Sequence, residues 1–340
     1  MKTNILTLIA IIIAILLTSC EKEIEFKGEQ IDSKLVINSL VEPGQPVKAN
    51  ISKSVFFLDN ENNTQAPDDL VATLYVNGNR IGEMTPHNDT VADSEGQYLP
   101  DLNLYKIIKV YTHDNCPAEG DVVSIKASAN GFDDVEGSTS ALPNAVTWHL
   151  GDYQTSIWDV EFEDYEGDTV WTISGQLELT VEITDPNPRQ TDYFRILLEN
   201  QTYSDYETGN VYYVSTAYDD PVFGANVSNS DFIDFDFQTM PEGVFTDVLF
   251  DGKSYQIKMP IYLYLHLYDG NVPDSYSFYF SMEHLSKEYY YYLNTCEQSD
   301  EVMQFFSEPI QTYSNVEGGF GIVSGRSVDT LWMELPIQKR

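Results

Sequence analysis

From Lys34 onward, apolar and polar residues alternate in short bursts broken by turn residues. That is the pattern of strands with one face in a core and the other in water. Leu35-Val36-Ile37, Val47 to Ile51, Val71 to Val76, Tyr105 to Tyr111, Val122 to Ala129 and Val135 to Leu142 all fit it. Glu42-Pro43-Gly44 closes the first burst, and Asn77-Gly78 after Val76 is a strong hairpin signal. About seven short strands at this spacing predict an immunoglobulin- or fibronectin-type sandwich. It spans 34–143, with the boundary at Pro143-Asn144.

The remainder, 144–340, is also strand-rich. Trp171 to Thr184 puts Ile173, Leu177, Leu179, Val181 and Ile183 on one face and Ser174, Gln176, Glu178, Thr180 and Glu182 on the other. Asp185-Pro186-Asn187-Pro188 then ends the strand, since two prolines cannot continue a ladder. Tyr193 to Leu198, Val211 to Ser215 and Tyr255 to Ile257 predict further strands, and Asp219 to Asp236 a long loop. Pro260 to Asp269 alternates Ile261, Leu263, Leu265 and Leu267 with Tyr262, Tyr264, His266 and Tyr268. The expectation is a central strand whose tyrosine face packs on a helix; the alternative makes those four aromatics a ligand face. The helix is predicted over 286–299, capped by Ser286, with Tyr289, Tyr292, Leu293 and Cys296 on one stripe. The fold class is therefore mainly β: an N-terminal immunoglobulin-like sandwich followed by a larger β-rich domain with one helix.

The N-terminus departs from this pattern. Lys2, an apolar run from Ile5 to Leu17 and then Thr18-Ser19 describe a secretory signal peptide over 1–19. The run is shorter than the roughly 20 apolar residues of a membrane-spanning helix. Cys20 directly behind it looks like a bacterial lipobox, so lipidation at Cys20 is expected. Residues 20–33, opening Glu21-Lys22-Glu23, form an acidic tether of the kind that sends lipoproteins outward. The predicted location is the outer membrane, lipid-anchored and facing the cell exterior.

Charge then narrows the partners. The 340 residues carry a formal charge of −36, which repels nucleic acid and anionic head groups. A 42% hydrophobic content with 23 Tyr and 17 Phe rules out disorder. Cys116 and Cys296 could be bridged in an oxidising compartment or remain two thiols.

Catalytic motifs are missing. His284 is followed by Leu285-Ser286-Lys287-Glu288, which is not a zinc-protease helix, and there is no nucleophile elbow or P-loop. Gly318-Gly319-Phe320-Gly321 lacks a phosphate-binding lysine and reads as close backbone packing or a bulge. Glu161 and Glu163 are the kind of carboxylate pair a hydrolase uses, but with 54 acidic residues such pairs arise by chance. No enzyme activity and no cofactor are expected, beyond structural calcium. Its weak candidates are Asp59 and Glu61 in one oxygen-rich stretch and Asp234 and Asp236 in another.

Taken in order, several segments resemble one family. They are Cys20 to Ile24, Lys34 to Pro46, Val71 to Gly78 and Ser314 to Ile322. Together they resemble the Bacteroidota outer-membrane lipoproteins grouped as domain of unknown function 4249, across nearly the whole mature chain. Gln201 to Asp251 matches no part of that pattern. The resemblance carries no catalytic residues. It implies an accessory role beside a TonB-dependent receptor in nutrient uptake. The richness in Tyr and Trp separately makes a glycan or peptide the expected ligand. The alternatives are a structural or adhesive surface protein and a carboxylate-dependent hydrolase.

Overall fold

The computed structural model describes residues 32–55, 64–92, 105–165, 168–198, 202–204, 211–224, 242–267, 275–300 and 312–336. The first strands are β1 (Leu35–Val41), β2 (Val47–Lys53), β3 (Val71–Val76), β4 (Asn79–Glu83) and β5 (Thr85–Ala92). They continue with β6 (Tyr105–His113), β7 (Val122–Ser128) and β8 (Val135–Ala141). Next come β9 (Thr147–Tyr165), β10 (Asp168–Thr184), β11 (Tyr193–Leu198), β12 (Thr202–Ser204) and β13 (Val211–Thr216). A short helix α1 (Pro221–Gly224) precedes β14 (Val244–Thr246), β15 (Ser254–Leu267) and β16 (Ser275–Leu285). Helix α2 (Lys287–Asp300), β17 (Val316–Glu317) and β18 (Phe320–Pro336) complete the order. The protein is mainly β, as the alternation predicts.

Two sandwiches share one sheet. In the first, β1-β2-β6-β5 faces β17-β8-β7-β3-β4. Lettered from β1 as strand A, that is the immunoglobulin order A-B-E-D opposite G-F-C-C′. Leu35, Ile37, Ile51, Leu74 and Ile125 meet between the sheets, each nearly or fully buried. Val76 pairs with Asn79, so Asn77-Gly78 is a two-residue hairpin loop. Both residues have positive φ, 52° and 76°, the backbone that the Asn-Gly signal demands.

In the second sandwich, β14-β11-β16-β18 faces β12-β13-β15-β10-β9. Its core is more aromatic, built on Phe194, Phe245, Phe278 and Phe280 with Ile173, Leu177, Leu179, Val181 and Ile183 from β10. Strand β16 went unread in the sequence although Tyr276, Phe278, Phe280 and Met282 alternate through it. Residues 254–267 form one strand rather than two short ones. Pro260 lies one residue beyond the last β13 pair, Thr216 with Ile261, so its missing N–H leaves no ladder bond on that side unmade, and Thr216 Oγ1 donates to its carbonyl at 2.9 Å.

β18 joins the sandwiches. Phe320 to Gly325 pairs in parallel with β1, and Arg326 to Pro336 pairs antiparallel with β16. The eight-stranded sheet is therefore continuous, β14-β11-β16-β18-β1-β2-β6-β5. Val323 lies in the first core, while Met333 and Leu335 lie in the second. Leu142 and Trp148 flank the division expected at Pro143-Asn144 and belong to different cores, yet strand pairing crosses it. Gly321 makes the parallel contact feasible. Its φ is +102°, and a Cβ there would sit 2.2 Å from the Ile37 carbonyl oxygen. Only glycine fits. The Gly318-Gly319-Phe320-Gly321 run is close backbone packing.

Helix α2 occupies the predicted place. Its first turn is pinned to β18: Gly325 N–H donates to Ser286 Oγ at 3.0 Å, and Ser286 N–H to the Gly325 carbonyl at 2.8 Å. Tyr290 is buried, packed on Tyr193 of β11 with ring centroids 4.6 Å apart. The buried edge is thus one residue away from the predicted stripe.

Candidate functional site

Alternation along β15 sends Ile257, Met259, Ile261, Leu263, Leu265 and Leu267 into the second core. The opposite residues must point out of the sandwich. Tyr262 and Tyr264 do so, 39% and 42% exposed. The expected packing of this face on the helix does not occur. A single residue, Ser286, connects β16 to α2, so the helix stays against β18, β11 and β16. The tyrosine face belongs to the other sheet and remains open to solvent.

Register assembles neighbours around these tyrosines. Tyr264 lies opposite Tyr213 of β13 on one side and Ser174 of β10 on the other. Tyr262 lies between Ser215 and Gln176. Tyr213 is 45% exposed. Nδ1 of His266 lies 3.1 Å from Thr172 Oγ1, and its ring is parallel to that of Tyr264 within 4°. Parallel rings on a sheet face offer apolar π-surfaces ringed by hydroxyls, suited to stacking on a ligand with a flat apolar side.

Toward the other end of β15 the face becomes charged. Lys258 Nζ is 3.8 Å from Glu178, and His149 Nε2 is 3.7 Å from Glu182. An open groove of about 650 Å³ runs between Glu182, Asp220, Tyr255 and Lys258. Asp220 is fixed by the Tyr255 hydroxyl at 2.9 Å and by the N–H groups of Val222 and Lys258 at 3.0 and 2.9 Å. Burial, with Asp220 alongside, pushes the Tyr255 phenol up to about 12, so it stays a donor.

A second polar centre lies where the β10–β11 turn meets the turn between β14 and β15. Asp185, Asp247 and Asp251 bring carboxylate oxygens within 4.8 Å of one another. Asp185 and Asp247 are buried and Asp251 is exposed. Asn187 N–H donates to Asp185 at 2.8 Å, Gly252 N–H also donates to Asp185, and Arg189 N–H donates to Asp251 at 2.6 Å. Burial, with Asp192, Asp185 and Asp251 as like charges, pushes Asp247 up to about 6 against the pull of an Asp192 backbone N–H. Next to it, buried His284 places Nε2 3.4 Å from Asp192 and Nδ1 2.8 Å from the Asn144 carbonyl. These acids were missed in sequence, where Asp185-Pro186-Asn187-Pro188 registered only as a strand terminator. The available signal was the density of Asp and Asn in that turn, Asp185, Asn187 and Asp192.

The other sequence candidates fare variously. Cys20, Tyr268, Asp59, Glu61, Asp234 and Asp236 lie outside the described residues, as do the signal segment and all but the last two residues of the tether. Glu161 and Glu163 sit two apart on β9, opposite Thr172 and Val170. Cys116 is exposed and Cys296 half-buried on α2, and no disulfide joins them. Among the described residues no helix is long and apolar enough to cross a membrane, which says nothing of a β-barrel.

No curated protein matches the sequence. A solved structure described as "Putative membrane anchored protein from Corynebacterium diphtheriae" aligns with 76% of this chain at 11% identity and a TM-score of 0.18. The aligned part spans 55% of that protein, and a likeness this slight carries no argument. The family comparison is of another order, because one model runs through both sandwiches and the strand they share. It matches residues 21–331, and the chain belongs to the family described as Domain of unknown function (DUF4249).

Proposed function

We propose that this protein is a non-catalytic binding component, held by lipid at Cys20 on the outer surface of the outer membrane, that serves a TonB-dependent receptor in nutrient uptake. The carrying observation is the open face of β13, β15 and β10, where Tyr213, Tyr262 and Tyr264 point away from the core. Contiguous exposed aromatics rimmed by polar groups mark an interaction surface. The lipobox, the acidic tether and a charge of −36 support a module tethered near the membrane but kept off it. A glycan is the ligand class that fits: sugar C–H faces stack on tyrosine rings, and Glu178, Gln256 and Lys258 lie within the same face to take hydroxyls.

The test is calorimetric titration of the detergent-solubilised protein with neutral oligosaccharides, in wild type and in Tyr264→Ala. Binding in the wild type and a loss of about three- to tenfold in the variant, the scale of one aromatic stacking contact, supports the reading. Binding only of peptides, or equal affinity in both proteins, sinks it. Affinity capture of the anchored protein should also retrieve a β-barrel receptor.

A further inference from the structure

Asp185, Asp247 and Asp251 converge from two turns that are distant in sequence, and two of the three are buried. Among the described residues no lysine, arginine or histidine forms an ion pair with any of them. Three carboxylates meeting with no cation is an arrangement that folding would resist. Asp247 adds an independent sign. It is 2% exposed, and its Oδ2 has no hydrogen-bond donor. A buried carboxylate oxygen without a donor needs an explanation, and an ion is one.

We propose that Asp185, Asp247 and Asp251 bind one calcium ion, which ties the turn after β10 to the turn before β15. The donor set is all oxygen and carries three negative charges, the chemistry of a hard divalent cation. The size fits as well. One oxygen from each carboxylate lies within 4.8 Å of the others, close enough for a single ion to touch all three. The protein already staples the two turns by hydrogen bonds: Asp185 N–H to the Lys253 carbonyl at 3.1 Å and Asp247 N–H to the Asp192 carbonyl at 3.3 Å. An ion would complete this staple from the solvent side, entering past exposed Asp251. The role is structural, and it does not depend on the ligand face of β15.

The experiment uses the full-length protein in detergent, stripped with a chelator and titrated with calcium chloride at physiological salt. The expected result is one saturable calcium site per chain, with a Tm that rises on calcium and not on equal magnesium. Asp251→Asn alters an exposed side chain and leaves the fold intact. It is expected to weaken calcium binding by about tenfold or more, on the scale of lost metal-site partners. Asp68→Asn, an equal loss of charge on the first sandwich, is expected to leave it unchanged. Many weak, non-saturating contacts indifferent to Asp251→Asn would overturn the site. So would a Tm unmoved by calcium, or an equal response to magnesium.

Discussion

The two sandwiches bury different things. In the first, the buried polar side chains among the described residues are the hydroxyls of Ser39, Thr139 and Ser324. Ser39 donates to the Lys48 carbonyl at 2.7 Å, Thr139 accepts from Val123 N–H at 3.0 Å, and Ser324 donates to the Ser39 carbonyl at 3.4 Å. The second buries Asp185, Asp192, Asp247, Glu283 and His284. Its outer sheet face also exposes Tyr213, Tyr262 and Tyr264 beside ion pairs such as Lys258–Glu178, while Lys126–Glu136 at 2.6 Å and Arg80–Glu83 at 3.3 Å lie on the first. Buried charge is costly and is kept where it has a use. The contrast puts the buried acids and the open tyrosine face in the second sandwich.

The largest effect is expected where the two meet. Arg326 on the shared strand donates to Glu42 beyond β1 at 2.9 Å and to Glu283 on β16. Glu283 is only 3% exposed. Arg326→Ala leaves that carboxylate buried without its cation and is expected to cost about 3–5 kcal/mol in urea unfolding. A cost below about 1 kcal/mol would mean that this junction does not hold the halves together.

A second measurement asks whether the sandwiches unfold as one. Leu74→Ala empties space in the first core and is expected to cost about 2–5 kcal/mol. All four tryptophans lie on strands of the second sandwich: Trp148 and Trp158 on β9, Trp171 on β10 and Trp332 on the part of β18 paired with β16. Because β18 belongs to both cores, tryptophan fluorescence should lose its midpoint together with far-UV circular dichroism. Fluorescence unchanged while dichroism shifts would show two independent units.

The smallest effect concerns Asp247. Its folded pKa is raised from 3.8 to about 6, so the folded state holds the proton more tightly than the unfolded one. The stabilising contribution is full below about pH 4 and is lost as pH rises through 6. With a chelator present, Asp247→Asn should exceed the wild type in stability at pH 7 by up to about 3 kcal/mol. The gap should close toward pH 4. A gap independent of pH would show that Asp247 does not titrate in this range.

Much of the local structure was legible. The alternation through β10 correctly assigns Ile173, Leu177, Leu179, Val181 and Ile183 to the core, all within 1% of full burial. The Asn77-Gly78 hairpin and helix α2 could be read because turn chemistry and periodicity are short-range. The site was less legible. Sequence named Tyr262, Tyr264 and His266 as a shared face but set it against the helix. Alternation tells which residues share a side, not what layer covers that side. The acidic centre was invisible for a related reason: Asp185 and Asp247 are brought together by strands whose pairing no local pattern encodes.

The sequence by itself determined that this chain is β-rich and strongly acidic, because composition and hydrophobic period can be read from short stretches. Only the tertiary structure decided that β18 closes both sandwiches, pairing Val41 with Gly325 across almost the whole chain. It alone left the tyrosine face open and gathered three carboxylates at one point. Those outcomes depend on which strands neighbour each other in the sheet, and that is settled by packing the cores together rather than by any residue's own preference.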